Sequence, residues 1–189
     1  MSFGDRHVHQ RLGERIYDRA MRDPRFQALL ARGFATSFDY DIPYLGGYSR
    51  DGSVIYVDRD TPAAIQRGRR AYAIRPHGLV NGILIHEHWE KTALAAWGFD
   101  YDAAHELATH AEHRYVRDRL GLDPTLYEEI WRAVIRMAER KLGRRDVLLP
   151  PDLDLTPYSS VRVVTSVAER GFDPAASRPE LFQPSTSDD

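Results

Sequence analysis

The sequence predicts an α+β fold: one mostly helical domain carrying a small antiparallel β-hairpin, with a helical hairpin at its centre. Three observations lead there. Long stretches place apolar residues at helical spacing and end at glycine or at an Asp-Pro step. A single stretch alternates apolar residues around an Asp-Gly step. The chain of 189 residues, 42% apolar and 29% charged, has the composition and length of one ordinary globular domain. The expected domain spans residues 1–172, and the Pro-, Ser- and Asp-rich residues 173–189 read as a flexible tail.

Val8, Leu12, Ile16 and Ala20 give a helix over 7–22. Asp23 then caps a second helix, with Pro24 at its first position, Phe26, Leu29 and Leu30 as its buried face and Gly33 as its end. Residues 44–48 and 54–58 flank Ser49-Arg50-Asp51-Gly52 and form the hairpin. Residues 62–73 read as a short Pro-started helix, and an extended piece follows near 71–74. A long helix over 79–97 has Leu79, Ile83, His86, Glu90, Leu94 and Trp97 along one side and ends at Gly98. The next starts at Asp100 or Tyr101 and runs to about Leu120, before Gly121. Asp123-Pro124 opens a further helix to about Leu142, with Leu126, Ile130, Val134 and Met137 as a core stripe and Trp131 beside it. Residues 146–157 are Pro-rich and extended, and 160–167 form a strand or the first turns of a helix.

Composition excludes several functions. There is no cysteine, so disulfides, Cys-ligated zinc and thiol catalysis are ruled out. A net charge of -2 argues against a general nucleic-acid binder. The first thirty residues hold no apolar core of a secretory signal, and the most apolar stretch, 78–85, is too short to span a bilayer. A cytoplasmic protein with no membrane partner is expected; oligomeric state is left open.

The chemistry is concentrated in one place. Five of the eight histidines lie between His86 and His113, interleaved with Glu87, Glu90, Glu106 and Glu112. Neutral imidazole and ionised carboxylate together are the ligands of divalent metals. His86 and Glu90 are four apart and share one helix face, while Glu87 lies about 100° round from His86. On the second helix His105, Thr109 and Glu112 share one face, and Glu106, His110 and His113 another. Counting outward from the Gly98 turn sets His86 level with Glu112, and Glu90 toward His105 or Thr109. Ala104, Ala108 and Ala111 allow close approach. The His105 face is therefore expected inward, with His110 and His113 at or near the surface.

The result is a two-histidine, one-carboxylate set, His86, Glu90 and His105. Such sets bind zinc and leave a fourth position for water, whose pKa falls to about 7. Glu87 is the candidate general base. Glu112 is either a fourth ligand or the acceptor that orients a histidine ring. Tyr48, Tyr56 and His110 are candidate oxyanion donors; aromatics on a hairpin more often pack on neighbouring helices. Helix packing accounts for Trp89 and Trp97, and exposed loop or terminal positions for His7, His9 and His77.

The His86-Glu87-His88-Trp89-Glu90 segment resembles the H-E-x-x-H motif of zincin metallopeptidases, with glutamate in place of the second histidine. The chain is also similar to a group of uncharacterised bacterial and phage proteins with an H-E-x-x-E helix followed by A-H-x-x-A-T-x-x-E, here 104–112. The resemblance covers roughly residues 42–116. It implies a metal-dependent hydrolase, first of all a zinc peptidase acting on a peptide or other small acyl substrate. His86 is then a ligand, Glu87 the base and the 54–58 strand the element that holds substrate backbone. Two other classes fit the composition: a di-metal iron or manganese carboxylate protein, and a non-catalytic interaction protein whose helix pair is structural. Ferritin-like sites, however, need Glu-x-x-His on two helices, whereas Glu87 is followed by Glu90 and Glu106 by Thr109.

Overall fold

A computed structural model describes residues 3–42, 45–61, 76–142 and 148–155. The helix expected over 62–73, the extended piece near 71–74, the element over 160–167 and the tail over 173–189 lie outside these residues. So do Tyr44 and the side chains of His7, His9 and His77.

Among the described residues, α-helices pack around a small mixed sheet, an α+β architecture. Helix α1 spans Phe3–Arg22 and α2 spans Pro24–Leu30. The Asp23 carboxylate accepts from the backbone N–H groups of Arg25 and Phe26 at 2.8 and 3.1 Å, satisfying two donors that a helix start leaves open. Helix α2 ends at Leu30 with Ala31 as its cap, ahead of the expected terminator Gly33, because Ala31 and Arg32 already close its last turn onto Gln27 and Leu29.

Strands β1 (Ala35–Ser37), β2 (Gly46–Tyr48) and β3 (Val54–Val57) form one sheet in the order β1-β3-β2. The hairpin is β2 against β3, antiparallel, with Gly47 opposite Tyr56. Asp51 organises its turn by accepting from Ser53 N–H, Ser49 Oγ and Ser53 Oγ, and these bonds hold its carboxyl at about 2. Strand β1 pairs parallel to β3, an element the sequence reading did not contain. It is three residues long and mostly exposed, too short to show a period.

Helix α3 spans Pro76–Trp97, α4 spans Tyr101–Tyr115, and α4 continues into a π-helical turn, Val116–Leu120. Helix α5 spans Pro124–Leu142. Asp100 caps α4 through Ala103 N–H at 2.8 Å. The α3–α4 pair is the most extensive element contact in the fold. Two apolar clusters grip it. One joins Leu79 and Ile83 of α3 to Tyr127, Ile130, Trp131 and Val134 of α5 and to Leu45 and Val57 of the sheet. The other joins Trp89, Ala93 and Ala96 of α3 to Leu107, Ala108 and Ala111 of α4, with Ala20 and Phe26 beneath. Trp89 stacks on Tyr17 at 5.0 Å, and Trp97 Nε1 donates to Asp23 at 2.7 Å, so both tryptophans are packing residues. A smaller cluster of Ile42, Tyr56, Leu153 and Leu155 ties residues 148–155 to the sheet. No helix of the described residues is long and apolar enough to cross a membrane.

Candidate metal centre

The polar segment lies between the two apolar clusters, where α3 crosses α4. Three donor atoms converge there. His86 Nε2 is 3.1 Å from His105 Nδ1, His105 Nδ1 is 3.0 Å from Glu90 Oε2, and His86 Nε2 is 3.6 Å from Glu90 Oε2. A tetrahedral ion with ligands at about 2.1 Å needs donor separations of about 3.4 Å, which these distances bracket. Hydrogen bonding alone serves the triangle poorly. His105 Nδ1 makes two contacts near 3 Å and can offer one well-directed hydrogen bond to satisfy both. The group His86, Glu90 and His105 could therefore hold a metal ion. Glu87, Glu106 and the remaining histidines form no second group of this kind among the described residues.

The surroundings fix each donor. Glu90 is buried; Tyr48 OH of β2 donates to its Oε1 at 3.0 Å and leaves Oε2 for the triangle. His86 turns Nδ1 to Glu112 Oε2 at 2.9 Å, which aims Nε2 at the triangle. Glu112 Oε1 in turn accepts from Tyr127 OH of α5. Glu112 thus stands behind His86 in this arrangement, on Nδ1 and outside the group of three converging donors. Tyr101 OH lies 3.4 Å from His105 Nδ1 at the rim. The His105 side chain is 45% exposed, against 3% for Glu90, so the centre opens to solvent on the His105 side.

Glu87 occupies the flank. Its carboxylate faces Gly46 of β2, where an added Cβ would overlap Glu87 Oε1 and Ile83 Cγ2; only glycine leaves room there. Leu45, just before it, has φ 85, a left-handed conformation that costs a branched side chain on the order of 1–2 kcal/mol. Two carboxylates three residues apart behave oppositely. Burial pushes Glu87 up to about 8, with the charge of Glu90 adding to it and that of His86 opposing. Burial would also raise Glu90, but hydrogen bonds from His105 and His86 outweigh it and hold Glu90 at about 2. Burial works against the charged form of His86; its bonds to Glu112 and Glu90 win and raise it well above 6.5.

Several expectations change. His110 is half-buried near the surface, with one side against α1: its ring is 5.3 Å from Tyr17 and its Cβ lies against Gly13, and burial lowers its pKa. His113 pairs with Glu128 at 3.6 Å. His88 holds Leu30 C=O at 2.7 Å and packs on Phe34. None of the three candidate oxyanion donors is aimed at the centre for that role. Tyr48 OH is on Glu90 and Tyr56 OH on Asp152 at 2.5 Å, while His110 faces α1.

The 54–58 strand does not offer an edge to substrate either. Strand β3 is central, paired to β1 on one side and β2 on the other. The strand beside the helix is β2, and the Tyr48 end of its outer edge is taken up by the chain itself. Asp154 N–H donates to Tyr48 C=O at 2.8 Å and Arg50 N–H to Asp152 C=O at 2.9 Å. Lys91 of α3 fastens that segment by reaching Asp154 at 3.1 Å.

Sequence reasoning missed Tyr127, Tyr101 as a neighbour of His105, and the close approaches at Gly46 and Gly82. Nothing local to Gly46 showed that a carboxylate would lie over it, and Tyr127, next to Leu126 of the apolar stripe, carried no sign of its partner. No protein-family model, no curated protein and no solved structure matches the chain.

Proposed function

We propose that the protein is a zinc-dependent hydrolase that cleaves the amide bond of a short peptide or small acyl compound, with Glu87 as general base. The observation that carries this reading is the convergence of His86 Nε2, Glu90 Oε2 and His105 Nδ1 beside a partly buried carboxylate that is not one of them. Two nitrogens and one carboxylate oxygen are a zinc donor set, and the exposed His105 side leaves an approach. A bound zinc ion would supply Lewis acidity and bring the pKa of water to about 7. Glu87 takes the proton from the attacking water and passes it to the leaving amine. Burial raises Glu87 to about 8, and a divalent cation held by His86, Glu90 and His105 would bring it back toward neutrality, the range in which a general base works best. Glu90, held by Tyr48, and His86, held by Glu112, keep their orientation throughout.

The substrate class follows from β2. Residues 152–154 already pair with the Tyr48 end of its outer edge, which obstructs an extended polypeptide from joining the strand there. A short chain end or a small amide needs no such strand. The test is hydrolysis of short fluorogenic peptides and acyl amides by zinc-loaded protein, beside Glu87→Gln. The variant is expected to bind zinc with unchanged stoichiometry and lose about 10²–10⁴-fold in turnover. Full activity in that variant contradicts the assignment of Glu87. Absence of hydrolysis across the panel contradicts the enzymatic reading.

A further inference from the structure

The centre is built from α3 and α4, yet one of its supports comes from α5, a helix that contributes nothing to the donor triangle. Tyr127 OH donates to Glu112 Oε1, Glu112 Oε2 takes the hydrogen of His86 Nδ1, and His86 Nε2 enters the triangle. Both intermediate groups are withdrawn from water, Tyr127 to 1% and Glu112 to 9% exposure. Within α5 the Tyr127 ring is set by Trp131, edge-on at 5.6 Å and 87°. The path also needs a gap in α3. A Cβ at Gly82 would collide with the Tyr127 hydroxyl and come within 3.4 Å of Glu112 Oε1. A residue with no side chain thus stands where a phenol must cross the helix to reach a carboxylate. Core packing alone gives no reason for that phenol; phenylalanine would fill the same apolar cluster, and the direct collision at Gly82 is with the hydroxyl oxygen.

We infer that Tyr127 is a positioning residue for the centre. By occupying one oxygen of Glu112 it commits the other to His86 Nδ1 and so keeps His86 Nε2 directed at the donor triangle. This inference rests on the zinc reading above. Without the phenol, Glu112 Oε1 loses its buried donor, the carboxylate can rotate, and the His86 ring is no longer held in one orientation.

The experiment compares wild type, Tyr127→Phe and Gly82→Ala. Zinc affinity is measured by competition with a chromophoric chelator, and the His86 ring nitrogens are followed by long-range ¹H–¹⁵N correlation in metal-free and zinc-loaded protein. Tyr127→Phe is expected to bind zinc about 10–100-fold more weakly and to shift the His86 Nδ1 resonance. Gly82→Ala, which pushes the hydroxyl aside without removing it, is expected to act in the same direction. It decides the matter if Tyr127→Phe does not fold. Unchanged affinity and unchanged His86 nitrogens in a folded variant overturn the inference, even if its Tm falls, since that is what a packing role alone would give. If wild type binds no zinc, the functional reading fails. The metal-free Nδ1 resonance then still decides whether Tyr127 acts on His86.

Discussion

The same two helices build two unlike interfaces within a few turns of each other. On one side of the pair, α3 and α4 meet through an apolar cluster of Trp89, Ala93, Ala96, Ala104, Leu107, Ala108 and Ala111. On another, along the same stretch of the helices, they meet through His86, Glu90, His105 and Glu112. The apolar interface explains itself: small residues bring the helices close, and Phe26 and Trp89 fill the space beneath. The polar interface does not, because it withdraws two carboxylates and an imidazole from water and spends their bonds on one another. Apolar residues in those positions would pack at least as stably. The difference separates what holds the hairpin together from what the hairpin holds.

Truncating the apolar interface should cost the most stability. Phe26→Ala removes a fully buried ring that touches Trp89 and Trp97, and chemical denaturation should register a loss of about 3–5 kcal/mol. Zinc affinity of the folded variant should stay within a few-fold of wild type. A large loss of affinity would mean that the two interfaces are not separable.

The pH response should divide along the same line. For metal-free protein, Glu90 has a folded pKa of about 2, below its ordinary 4.5, so the stability it contributes is present above pH 4.5 and is lost as pH falls toward 2. Glu87 at about 8 lies above 4.5, so its contribution is present below 4.5 and is lost as pH rises to 8. His86, raised above 6.5, adds to the loss on the alkaline side. Stability of the metal-free protein should therefore peak near pH 5 and fall by a few kcal/mol toward pH 8. Zinc should reverse the alkaline arm, because cation binding displaces the same protons. A flat profile between pH 5 and 8 without metal would remove the electrostatic account of the polar interface.

How much of this contrast was legible in the sequence follows from how local each feature is. The α3–α4 pairing could be counted outward from Gly98, and it brings His86 to Glu112 and Glu90 to His105, because helical spacing and a short turn fix register. The 44–58 hairpin was readable from Asp-Gly for the same reason. Features made by distant segments were not. Strand β1 is too short to show a pattern, and its pairing makes β3 central instead of an edge. The partners of Tyr48 and Tyr127 lie on other elements, and a tyrosine beside an apolar stripe gives no sign of where its hydroxyl goes. The contact of His110 with Tyr17 was not readable either, because nothing in α4 itself shows that α1 packs beside it.

A smaller effect would test whether the helix spacing set by the alanines serves the centre. Ala108 is fully buried between the helices, and Ala108→Leu should cost about 1–3 kcal/mol by overpacking. Forcing α4 away from α3 should also separate His105 from His86 and weaken zinc binding, in contrast to Phe26→Ala. Lost stability with unchanged affinity would show that the donors do not depend on the spacing.

The most direct test of the centre is native mass spectrometry of untagged protein titrated with zinc, beside His86→Ala and His105→Ala. The account predicts one ion per chain at saturation for wild type and a marked loss of binding in both variants. Wild type that stays metal-free in excess zinc, or variants that load as fully as wild type, would contradict it.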